Sequence, residues 1–84
     1  MDIKLLKKLT ETFGPAGRET KVAEVVKKEL DKMGLKPKKD THGTVTLKLG
    51  SGGKKILLAA HMDEIGVVVN YVDRKGFLKV TPVG

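Results

Sequence analysis

At 84 residues with a formal charge of +7, the chain amounts to one small basic domain at most, too short to bury a large self-sufficient core. The absence of cysteine excludes a disulfide framework and a thiolate metal site, and fits a reducing, cytoplasmic setting. No apolar run reaches membrane-spanning length and no signal peptide is readable, so neither a membrane segment nor export is expected. Residues 2–13 set Ile3, Leu6, Leu9 and Phe13 three and four apart with lysines between them, which predicts an amphipathic helix. Gly14-Pro15-Ala16-Gly17 breaks it. A second helix is predicted over 18–33, with Val22, Val25, Val26, Leu30 and Met33 on its buried stripe and Gly34 as its left-handed C-terminal residue.

After Gly34 the period changes from helical to extended. Residues 35–40 read as a short edge strand, where Pro37 would be tolerated. Residues 44–49 alternate, with Val45, Leu47 and Leu49 expected to face inward. Gly50-Ser51-Gly52-Gly53 is a turn and lacks phosphate-loop spacing. Ile56-Leu57-Leu58-Ala59-Ala60 is a continuous apolar run, the pattern of a strand buried on both faces. Residues 65–72 and 77–83 flank Asp73-Arg74-Lys75-Gly76 and read as a β-hairpin. The class is therefore mixed α and β: two helices, a short sheet and a C-terminal hairpin. The central run needs covering layers that so short a chain barely supplies.

The positive charge is dispersed over lysines along the whole chain, and only three aromatics accompany it. A nucleic-acid surface concentrates basic and stacking residues, so no nucleic-acid partner is expected. Asn70 is the sole side-chain amide, while lysine and glutamate abound, a tendency of thermophile proteins.

His61-Met62-Asp63-Glu64 follows the apolar run, where an open sheet places its binding crevice. In extended backbone, residues 61 and 63 point the same way. Asp63 could then hold the His61 ring as its second-sphere partner, or bind a metal itself. A few polar residues in an exposed loop after a core strand is the plainer alternative. A catalytic zinc takes three protein ligands and a water. The only other histidine, His42, lies in a turn, so a complete site from this chain alone is not expected.

Three stretches carry a family resemblance. Phe13-Gly14-Pro15-Ala16-Gly17-Arg18-Glu19, then Asp40-x-x-Gly43, then Lys55-Ile56-Leu57-Leu58-Ala59-Ala60-His61-Met62-Asp63-Glu64-Ile65-Gly66, resemble the start of the tetrahedral (TET-type) metallo-aminopeptidases. These are the glutamyl and deblocking aminopeptidases, some labelled endoglucanase. Asp73-x-Lys75-Gly76-Phe77-Leu78-x-Val80-x-Pro82-Val83-Gly84 is similar to the segment that follows, so the resemblance covers nearly the whole chain.

The resemblance implies a two-metal hydrolase, with zinc or cobalt, that removes N-terminal residues from peptides. It implies that His61 is a metal ligand and that Asp63 is a catalytic residue orienting it. The general base and most ligands would lie beyond Gly84, so the chain is expected to be an N-terminal fragment, inactive by itself. Residues 1–64 would belong to the catalytic domain and 65–84 would begin its inserted β-rich dimerisation domain. The alternative is a self-associating structural module, and a homo-oligomer is expected under either reading. One departure stands: the family's Asp-x-x-Gly-Asn is Asp40-Thr41-His42-Gly43-Thr44 here.

Overall fold

The computed structural model describes residues 2–84. Helix α1 runs Ile3–Glu11, capped by the Asp2 carboxylate, which accepts from the Leu5 amide at 3.1 Å. It ends two residues before the predicted limit, because Thr12 is already extended and its hydroxyl takes the Lys8 carbonyl. Helix α2 runs Thr20–Lys32. Its end is a Schellman motif: the Leu35 amide donates to the Leu30 carbonyl at 3.1 Å and the Gly34 amide to Asp31 at 2.9 Å. Gly34 has φ 78°, the left-handed geometry expected of it.

The two helices are joined across their polar faces by Lys8 of α1, which reaches Glu29 of α2, and Lys32, three residues on in α2, reaches the same carboxylate. The hydrogen bond that Lys8 donates to Glu29 holds the Lys8 ammonium above its ordinary range, and the bonds from Lys8 and Lys32 hold the Glu29 carboxyl below its own. On the apolar side Val22 and Ala23 are buried, at 4% and 1% exposure. Val25, Val26 and Leu30 are half-buried, whereas Met33 is exposed, so the predicted stripe stops one turn early.

Strands β1 (Lys38–Lys39) and β2 (Val45–Thr46) pair antiparallel, Lys38 with Thr46 and Lys39 with Val45. Both are shorter than the sequence suggests. Pro37 has no amide to extend the ladder upstream, and Leu49, expected inward, is exposed. Strands β3 (Gly66–Val72) and β4 (Leu78–Val83) form the predicted hairpin, with a bulge between Val69 and Tyr71.

Both connections use one device. Asp40 Oδ1 accepts from the amides of His42 (2.8 Å) and Thr44 (3.0 Å). Asp73 Oδ1 accepts from those of Lys75 (2.8 Å) and Phe77 (2.9 Å). Gly43 and Gly76 take φ 90° and 86° three residues after the aspartate, a geometry that disfavours any side chain.

The apolar run 56–60 departs most from expectation. It is neither paired nor buried; Leu58 is 91% exposed. A strand is made by its neighbours' amides and carbonyls, and no strand lies beside this run among the described residues. The radius of gyration is 17.1 Å, against about 12 Å for a compact domain of this length. The hairpin therefore projects from the helical unit rather than folding over it.

Candidate functional site

The end of the unpaired run is anchored where its beginning is not. The Glu64 amide donates to the Gly14 carbonyl at 2.9 Å, and Pro15 and Glu64 form an isolated parallel bridge. This seats the loop between α1 and α2 against the stretch that carries His61 and Asp63. The Pro15 carbonyl in turn accepts from the Arg18 amide at 2.8 Å, which closes the loop into a turn before α2.

His61 and Asp63 come together. His61 Nδ1 lies 2.9 Å from Asp63 Oδ1 and 3.1 Å from the Asp63 carbonyl oxygen. Two acceptors at one ring nitrogen select the tautomer that carries its proton on Nδ1. Nε2 is then a lone-pair donor, and the ring itself is open to solvent while Asp63 is half-buried. That is the chemistry of a metal-ligating imidazole held by a carboxylate.

The ring faces a cleft of about 610 Å³. Leu9, Val22, Val26 and Val45 supply its apolar wall, and His61, Asp63 and Glu64 its polar edge. A second cleft of about 380 Å³ shares Met62 and Asp63 with the first and brings in Glu19, Asp40 and His42. Asp63 thus stands on the ridge between two concavities. Among the described residues no group of three histidine, cysteine, aspartate or glutamate side chains is disposed to hold a metal ion. His61 fits a metal as one ligand of a set, and the described residues do not complete that set.

His42 is exposed in the Asp40 turn and its amide, not its ring, is used there. Glu64 is engaged with the Gly14 loop: its Oε1 accepts from the Gly14 amide at 3.4 Å. Nothing local in the sequence announces that pairing, which spans fifty residues. The one available signal is Gly66, a glycine inside a strand pattern, which marks a close backbone approach.

Comparison with known proteins bears on the whole chain. The family model described as M42 glutamyl aminopeptidase matches residues 43–84. A putative aminopeptidase of Acetivibrio thermocellus is 45% identical over 80 residues, which cover 95% of this chain and 24% of that protein. A lysyl aminopeptidase of Pyrococcus furiosus is 35% identical over 89 residues, covering 100% of this chain and 25% of its own. Among solved structures, a TET aminopeptidase from the marine sediment archaeon Thaumarchaeota archaeon SCGC AB-539-E09 superposes with a TM-score of 0.81. It is 32% identical, with 98% of this chain and 23% of that one aligned. The chain therefore spans about a quarter of the length of the relatives it matches.

Proposed function

Since the chain belongs to the M42 glutamyl aminopeptidase family, we infer that it is the N-terminal part of a two-metal aminopeptidase, inactive without the remainder of the catalytic domain. The family is metal-dependent and its substrates are peptides. In this reading His61 Nε2 is a metal ligand, and Asp63 is the catalytic residue that holds the ring through Nδ1. The carboxylate fixes the tautomer and makes Nε2 a stronger donor. A pair of zinc or cobalt ions, when bound, supplies polarisation of the scissile carbonyl and an activated water. Residues 1–64 are assigned to the catalytic domain and 65–84 to the start of an inserted dimerisation domain. Composition favours a cytoplasmic protein of thermophilic origin.

The observation that supports this most is the 2.9 Å contact between His61 Nδ1 and Asp63 Oδ1. Purified chain supplied with zinc or cobalt should give no turnover of aminoacyl chromogenic substrates. Turnover that co-purifies with the chain and vanishes in His61→Ala overturns the inactive-part reading.

A second reading concerns behaviour rather than descent. The exposed run at Ile56, Leu57 and Leu58 and the uncovered hairpin leave apolar surface and strand edges open, both of which invite pairing. The chain is expected to self-associate into a homo-oligomer. Light scattering should return a mass above that of one chain, and a stable monomer over a wide concentration range refutes it.

A further inference from the structure

From Gly50 to Asp63 the backbone makes no backbone–backbone hydrogen bond among the described residues. The position of the His61–Asp63 pair must therefore be set from its other end. There, Glu64 is held by the Gly14 carbonyl at 2.9 Å and returns a longer contact, 3.4 Å, from its own Oε1 to the Gly14 amide. The fit around this contact is tight on both sides. A Cβ added at Gly14 would lie 2.8 Å from Val22 Cγ1 and 3.9 Å from the Met62 carbonyl oxygen. A Cβ added at Gly66 would lie 2.9 Å from the Pro15 Cβ. Neither glycine has a positive φ, so backbone conformation does not demand them there. Close approach does.

We propose that Gly14, Glu64 and Gly66 are positioning residues: they clamp the Pro15 loop onto the strand end and thereby set the His61–Asp63 hydrogen bond against helix α2. Val22, buried on α2, packs on Gly14, and Gly14 lies beside the Met62 carbonyl, in the peptide between His61 and Asp63. The helix is thus connected to the dyad through one glycine. This rests on the roles given above to His61 and Asp63.

The test is the nitrogen spectrum of the His61 ring in the full 84-residue chain, without metal, at alkaline pH. The wild-type ring is expected to be protonated at Nδ1, with Nε2 bare. Gly66→Ala should shift the tautomer ratio about tenfold toward Nε2–H, the scale of a lost charged hydrogen bond. A purely structural role for Gly66 predicts an unchanged ratio, because the tautomer depends only on the acceptors at Nδ1. Gly14→Ala should act in the same direction, and the amides of the Asp73 turn report that the hairpin is intact in each variant. If both variants keep the wild-type pattern, the clamp is refuted while the dyad stands. A wild-type ring without the Nδ1 proton overturns the dyad and the clamp together.

Discussion

Replacing Ala23 with aspartate should abolish the helical signal of the chain. Ala23 is the least accessible apolar residue described, at 1% exposure, and it and Val22 are the buried apolar core among the described residues. The cleft it lines already contains Glu19, Asp40 and Asp63, so a new carboxylate there meets mainly like charges. Lys39 is the one ammonium on that lining, and its side chain is on an exposed strand position. An unpaired buried charge costs about 3–5 kcal/mol, and the helix loses a further ~0.5 kcal/mol in propensity. An 84-residue chain has a total stability of about 4–13 kcal/mol at best, and this one buries little. Thermal melting followed by circular dichroism checks it. Ala23→Ser, which adds a hydroxyl able to bond its own helix, should leave a cooperative transition at reduced temperature. A melt of Ala23→Asp within a few degrees of wild type means that α2 is not held by this contact.

Elements whose determinants are local were legible in the residues. The α2 stop was readable from Gly34, because a Schellman ending needs one residue of left-handed geometry at one place. The hairpin was readable from Asp73 and Gly76 for the same reason. The threonine at position 44, where the family has asparagine, also finds its explanation. What the Asp40 carboxylate takes from that residue is its amide, and any residue but proline supplies one. By contrast, the run 56–60 reads as buried because apolar continuity reports what a strand needs, not what lies beside it. Here the need is unmet among the described residues. The site divides along the same line. The His61–Asp63 pairing follows from alternation over three residues, whereas the Gly14–Glu64 contact depends on how two distant segments meet, and only Gly66 hints at it.

The two histidines make the decisive measurement on the site an internal comparison. Both rings are exposed, but only His61 has a carboxylate at Nδ1, while His42 contributes just its amide to the Asp40 turn. Titrating the chain with zinc and following each ring by NMR should show His61 binding the more tightly. Removing a carboxylate behind a ligating histidine costs roughly 10- to 100-fold in metal affinity. Asp63→Ala should therefore bring His61 down to the level of His42 and leave His42 unchanged. Asp63→Asn should fall between, since its amide oxygen still accepts from Nδ1–H but carries no charge to strengthen Nε2. His61→Ala should remove the tighter site altogether. Equal affinity at the two rings in the wild type would mean that Asp63 does not prepare His61 for a metal. The dyad would then be an exposed hydrogen bond with no metal role of its own.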